Sequence, residues 1–315
     1  MPLLMRKRSD DGGRSARNPA FVPEQTEQHE NFFKPSRAAM LPRCSNPRCA
    51  SGWLRLWRSR STPVFEGGWC CAAECTRARV EAALSREMSM AAGSASAYRH
   101  RIPLGLSLLE KGWITADDLR RALEAQRAAG CGRFGQWLIR NQAVSEAKLA
   151  RALALQWSCP VLGLELEACE TMASLLPRLF VDALGALPLR IVGQRMLYVA
   201  FEDRPDPVLA VAMERMTGLR VESGILDESG FRAAHARVLN ARYPAVELLE
   251  AASESGMVRS LTQAIEDAQP VKSRLVRVHD FLWLRIWTRR QAGAMPTQDE
   301  VRDRIFALTS RSGTV

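Results

Sequence analysis

Residues 101–157 contain one unit written twice. Pro103-Leu104-Gly105 opens a run that reaches Leu108, Leu119, Leu123 and Gln126. Thirty residues on, Arg133-Phe134-Gly135 opens one that reaches Leu138, Leu149, Leu153 and Gln156. Leu119, Ala122, Leu123 and Gln126 fall on one face at helical spacing, and so do Leu149, Ala152, Leu153 and Gln156. A hydroxyl cap precedes each run, Thr115 in the first and Ser145 in the second. Thr115 with Asp118 three residues on makes a capping box, with Asp in place of the usual Glu. A register shared across two units requires two equivalent helical elements, and paired elements of this kind build a two-fold or extended binding surface.

The texture changes after Cys159-Pro160. Residues 186–192 and 195–201 read as two strands around a tight Gly193-Gln194 turn. A helix over 206–217, a short strand over 220–224 and a helix over 229–240 complete a small mixed α/β unit. Beyond it, 245–269 reads as helix, the partial alternation of 274–288 favours strand, and 301–308 reads as a last helix. The expected fold class is therefore α+β: a helical tandem-motif half packed on a small α/β unit, preceded by a cysteine-bearing module. The expected boundaries are a disordered basic tail over 1–40, a four-cysteine zinc module over 41–90, a linker over 91–100, the repeat and α/β domain over 101–242, and an extension over 243–315.

Five of the eight cysteines lie between Cys44 and Cys75. Cys44 and Cys49 flank a Ser45-Asn46-Pro47 turn, and Cys71 and Cys75 sit at the start of a helical stretch. Two thiolates on a turn, a hairpin, then two more at a helix start is the plan of a treble-clef zinc site. Zn²⁺ takes four thiolates tetrahedrally, and a helix N-terminus favours the ligating thiolate. Cys70 competes with Cys71 for the third place; Cys71 is preferred because it leaves Cys70 where a non-ligand residue normally sits. Four cysteines leave no open coordination position, which points to structural rather than catalytic metal. Cys131, Cys159 and Cys169 read as scattered core thiols.

Residues 101–242 resemble the N-terminal domain of type II secretion and type IV pilus assembly ATPases, the domain type called MshEN. That family carries two tandem Arg-Leu-Gly-x-x-Leu motifs, each ending in Leu-x-x-x-Leu-x-x-Gln. Leu104-Gly105, Leu108, Leu119, Leu123 and Gln126 match the first. Arg133, Gly135, Leu138, Leu149, Leu153 and Gln156 match the second, with Phe134 in place of Leu. Two departures stand out: Pro103 occupies the first motif's Arg position, with Arg101 two residues away, and the spacer from Arg127 to Gly132 is one residue longer than usual. The resemblance implies cyclic di-GMP as a ligand, held by Arg133, Gly135, Leu138 and Gln156 from one copy and Gly105, Leu108 and Gln126 from the other.

No motor of the kind that such ATPases carry is expected in this sequence. No Gly-x-x-x-x-Gly-Lys-Ser/Thr loop occurs, and too little chain follows residue 242 to hold a motor domain. His29, His100, His235 and His279 are scattered, and no catalytic constellation stands out, so the chain reads as a non-enzyme. No run approaches the roughly 18 apolar residues of a membrane span. Apolar residues precede Arg6-Lys7-Arg8, the wrong order for a secretory signal; the expected location is cytoplasmic. The net charge of +10 is concentrated in residues 1–100, with 16 Lys/Arg against 9 Asp/Glu. Three functional readings follow. The leading one is a regulatory or adaptor protein with a zinc module and cyclic di-GMP as candidate ligand. The second is a pure docking module for a secretion or pilus component. The third and least favoured is a zinc-finger nucleic-acid binder using Arg55, Arg58, Arg60, Arg77 and Arg79 with Trp53 and Trp57.

Overall fold

A computed structural model describes residues 43–50, 61–90, 101–163, 170–250, 253–290 and 295–308. The expected tail, the 91–100 linker, Trp53, Arg55, Trp57, Arg58, Arg60 and Cys169 lie outside the described residues. The fold is mixed α+β with small sheets.

The cysteine segment forms a two-stranded hairpin, β1 (Val64–Phe65) and β2 (Gly68–Trp69), followed by helix α1 (Ala73–Met90). Four helices carry the repeats: α2 (Leu104–Glu110), α3 (Ala116–Ala129), α4 (Phe134–Arg140) and α5 (Glu146–Trp157). Thr115 and Asp118 form the reciprocal capping box at α3, and the Ser145 hydroxyl accepts the Lys148 amide at α5. Leu108 and Leu138 are wholly buried between these helices, as are Ala122 and Ala152, which gives the repeat its own small core.

Helix α6 (Arg178–Leu184), β3 (Leu187–Val192), β4 (Met196–Phe201), α7 (Pro207–Thr217), β5 (Arg220–Ile225) and α8 (Glu228–Leu239) make the α/β unit. β3 and β4 pair antiparallel and β4 and β5 parallel, in the order β3-β4-β5. Gly193 and Gln194 both take positive φ, 59° and 56°, the backbone of a two-residue hairpin turn whose twist matches its strands. Val161 bridges to Ile225 in parallel, so the chain leaving the repeats runs directly onto the sheet edge.

The C-terminal part departs from the sequence expectation in two places. Residues 245–269 are not one helix: β6 (Ala245–Glu250) precedes α9 (Glu254–Ala268), which is capped by Ser253. Residues 301–307 are strand β9 (Val301–Ala307), not helix. The stretch read as strand is two strands, β7 (Lys272–Val278) and β8 (Phe281–Trp287), and the sheet order is β6-β9-β8-β7. The β6 reading failed because that edge strand is exposed on both faces apart from Leu249, leaving no period-two contrast. The β9 reading failed because Asp303 occupies a core-facing position where an apolar residue would have marked the alternation.

Apart from the edge strand β6, this sheet is buried on both faces. Trp283, Trp287, Val276, Val278 and Ile305 join the core of the α/β unit, while Leu275, Leu282, Leu284, Ile286 and Phe306 join one built with α1 and α9. β1 extends the sheet beyond β7: the Val64 and Glu66 amides donate to Pro270 and Ser273 carbonyls at 2.8 and 2.9 Å. The cysteine segment therefore shares a core with residues 257–306. A buried Glu87 carboxylate ties α1 to the rest, accepting from Arg215 at 2.5 and 2.9 Å and from the Arg277 amide at 3.1 Å.

A second tie is pH-dependent. At the β7–β8 turn, His279 Nε2 lies 2.5 Å from Asp206 Oδ2, while Asp206 Oδ1 caps α7 through the Val208 and Leu209 amides. The hydrogen bond to Asp206 holds the His279 imidazole above its ordinary value. The stabilisation is then complete below the unfolded value of about 6.5 and is lost as pH rises through the folded one. Thermal midpoints of wild type and His279→Gln should accordingly differ more at pH 6 than at pH 8. An equal difference at both would remove the pair as a source of pH dependence.

Candidate functional site

Two sites emerge from the described residues, one of thiols and one between the repeats. Cys44, Cys49, Cys71 and Cys75 bring their sulfurs within 4.8 Å of one another. Cys49 Sγ lies 3.4 Å from Cys71 Sγ, which lies 3.7 Å from Cys75 Sγ. A tetrahedron with Zn–S bonds of about 2.3 Å has sulfurs roughly 3.8 Å apart, so these thiols fit the ion. Outer partners are in place as well: Asn46 Nδ2 donates to Cys75 Sγ at 3.3 Å and the Cys71 amide to Cys44 Sγ at 3.5 Å. Such donors orient and stabilise thiolates. Burial, reinforced by the neighbouring sulfurs, pushes the Cys71 thiol far up; four crowded thiolates require a cation. Cys70 is buried too, but its sulfur faces the Ser45 hydroxyl at 3.6 Å and stands outside the cluster.

The second site is a cavity of about 500 Å³ between the repeat copies, closed on one side by the α/β unit. Two glycines permit it. A Cβ on Gly105 would come 2.8 Å from Leu119 Cδ1, and one on Gly135 would come 2.8 Å from Leu149 Cδ2. Each short helix therefore lies directly on the leucine of its own following helix, so a side chain at either position would force that leucine to shift. The floor is apolar, made by Leu104, Leu106, Leu119, Leu123, Phe134, Ile139, Leu149 and Leu153.

The residues expected to hold a ligand divide into two groups. Gly105, Gly135 and Arg133 line the cavity. Leu108 and Leu138 are in the repeat core instead, 0% exposed. Gln126 and Gln156 each donate their amide to a loop carbonyl, Gln126 to Gly132 at 2.9 Å and Gln156 to Ile102 at 2.7 Å. Each Gln thereby clamps the residue preceding the other copy's opening motif, a reciprocal arrangement that locks the copies together. Arg101 donates to the Gln156 carbonyl at 3.0 Å and lies 3.7 Å over the Trp157 ring, so it does not occupy the place of Pro103.

The rim was not foreseen from the sequence. Glu202 and Asp203 follow β4, Asp227 and Glu228 open α8, and Glu146 opens α5. All five carboxylates line the cavity, with Arg133 the one cation among the described lining residues. Arg133 is already matched, paired with Glu202 and with Asp203, the latter at 3.5 Å. Gln136 donates to Glu228 at 3.3 Å, and Glu146 accepts the Ser229 amide at 2.9 Å. The Ser229 hydroxyl and amide hold Glu146 below the usual carboxylate range. These contacts dock the second repeat on the α/β unit. Among them, Arg133 faces carboxylates that fix it. Both Asp227 and Asp206 carry helix-cap bonds, which is how a sequence reading would have classified them.

No family model matches the chain. Over 136 residues it is 30% identical to the type IV pilus assembly ATPase PilB of Thermus thermophilus, a match covering 42% of this chain and 15% of that protein. A solved structure of MshE with cdg is 29% identical, covering 44% of this chain and 99% of that one, with a TM-score of 0.35. The chain thus spans about 15% of the length of the pilus ATPase that it matches. No helix among the described residues is long and apolar enough to cross a membrane. The likeness lies in the N-terminal region of those ATPases. Over somewhat less than half its length, this chain is homologous to the N-terminal domain of PilB- and MshE-type ATPases.

Proposed function

We propose that the chain is a non-catalytic cytoplasmic adaptor whose inter-repeat groove docks a segment of a secretion or pilus assembly component. A zinc site of Cys44, Cys49, Cys71 and Cys75 holds its N-terminal module in shape. One observation carries the docking reading: the groove has an apolar floor and a rim on which five carboxylates face one arginine, itself already paired. Apolar concavities with a few oriented polar groups are binding sites, and the described residues of this one include no titratable pair arranged for chemistry. Replacing Leu106, 54% exposed at the groove lip, with a photoreactive residue should give a discrete protein adduct in the source cell. The same replacement at Val211 on α7, 48% exposed and away from the groove, should not. Equal labelling from both positions, or none from Leu106, would count against docking through the groove.

A second reading keeps the nucleotide. It is favoured by the intact second motif, Arg133 with Gly135; the MshE relative, 29% identical, was solved with cdg. Arg133 would meet a phosphate or guanine edge through its planar fork. Arg133→Ala would then cost about 1.5–3 kcal/mol, or roughly 10- to 150-fold in affinity. The zinc-finger nucleic-acid reading has less support: Arg77 is engaged by Glu81 at 3.0 Å, and Trp53, Trp57, Arg55, Arg58 and Arg60 lie outside the described residues.

A further inference from the structure

The lining of the groove also specifies the chemistry of what enters it. Resting on the docking reading, we propose that the occupant is a cationic apolar segment: two or three apolar side chains flanked by Lys or Arg.

The floor sets the first half of that description. Leu119, Leu123, Leu149 and Leu153 present hydrocarbon between the copies, and both Gln amides that could have served a polar ligand are engaged by loop carbonyls. Apolar groups gain by leaving water there.

The rim sets the second half. Glu202 and Asp203 share one guanidinium, Glu146 accepts from a neutral serine, and Asp227 caps a helix. Of the rim acids, Glu228 adds an ion pair of its own, with Arg232. The sum is negative at a mouth lined by hydrocarbon, where charges are screened less than on open surface. An incoming anion meets repulsion there; an incoming cation meets carboxylate oxygens with acceptor capacity left. The rest of the molecule has the opposite character. A chain of net charge +10 repels cationic peptides generally, so attraction to one must be local to a patch such as this. Complementary charge of this sort selects partners and raises association rates more than it adds affinity.

The test is a random peptide library panned on the full zinc-loaded chain, with counter-selection on a Leu106→Arg variant that blocks the lip. Enriched peptides are then synthesised and their affinities read by fluorescence anisotropy. The expected sequences carry at least two basic residues around an apolar pair. Their affinity for wild type should fall at least about tenfold between roughly 50 and 300 mM salt. It should fall by a similar factor in Glu202→Gln/Asp203→Asn. The salt series uses wild type alone, so it decides the matter even if the variants fold poorly. Groove-dependent peptides that are neutral or acidic would overturn the cationic chemistry while leaving docking intact. A panel with no groove-dependent binder would overturn docking as well. Displacement of the peptides by micromolar cyclic di-GMP would overturn both and assign the groove to the nucleotide.

Discussion

On the proposed zinc site of Cys44, Cys49, Cys71 and Cys75, replacing Cys75 or Cys49 with Ser is expected to abolish zinc binding there and to unfold the cysteine segment. A structural four-thiolate site contributes about 10–16 kcal/mol at neutral pH, as much as the whole stability of a typical domain, about 5–15 kcal/mol. The damage should travel further than the ligands. Val80, Ala83 and Leu84 of α1 pack in one core with Leu261 and Ile265 of α9 and with Leu275, Leu282 and Leu284 of the sheet. Elemental analysis should report about one zinc in wild type and none in either variant. Hydrogen exchange should show lost protection in α1 and in the facing side of α9. Cys70→Ser should keep its metal, since that sulfur faces Ser45 rather than the cluster. Metal-free protein with α1 and α9 fully protected would rule out a zinc-dependent module.

The second large effect concerns a buried ion pair. Arg285 donates to Asp303 through Nε and Nη2, both at 2.7 Å, and through Nη1 to the Leu175 carbonyl at 2.9 Å. Trp283 Nε1 donates to the same carboxylate at 2.7 Å. Arg285 and Asp303 are each 1% exposed. Asp303→Ala strands a guanidinium and an indole N–H in the interior, and such losses cost about 3–5 kcal/mol. That is a large part of the roughly 5–15 kcal/mol by which a domain is stable. Urea unfolding should show the midpoint falling with little change in slope. The double change Arg285→Met/Asp303→Leu should recover part of the loss, because it removes the stranded charge but leaves the Trp283 N–H and the Leu175 carbonyl without their partners. A single-variant loss below about 1 kcal/mol would mean that water reaches the pair.

The repeat was legible because its physics is local. Leucines at helical spacing and the Thr115 and Ser145 caps determine two helix pairs with no help from distant residues, and the thiol cluster was similarly written into a short span. What lay beyond reach depended on separation or on exposure. Strand β6 carries no alternation because water bathes both its faces, and β9 hides its period behind Asp303, whose partner Arg285 is on another strand. The shared core of α1, α9 and the C-terminal sheet joins residues 65 and 306, and no neighbouring residues announce it. The acidic rim assembles from Glu146, Glu202, Asp203, Asp227 and Glu228. Two of these open helices, Glu146 and Glu228, and a third, Asp227, caps one, which conceals their common destination. The sequence motif marks the Gln pair as ligand contacts, whereas the reciprocal clamp on Ile102 and Gly132 shows only when the copies are seen packed together.

Whether the inter-repeat groove takes a protein segment rather than a dianionic nucleotide is measured most directly by calorimetric titration of cyclic di-GMP into the intact chain. Wild type should give no saturable heat at high micromolar nucleotide, because the groove arginine is held by Glu202 and Asp203. Pro103→Arg combined with Glu202→Gln and Asp203→Asn, which restores the first motif and frees Arg133, should produce measurable binding. Saturable micromolar binding by wild type, abolished by Arg133→Ala, would contradict docking through the groove and make this chain a nucleotide sensor.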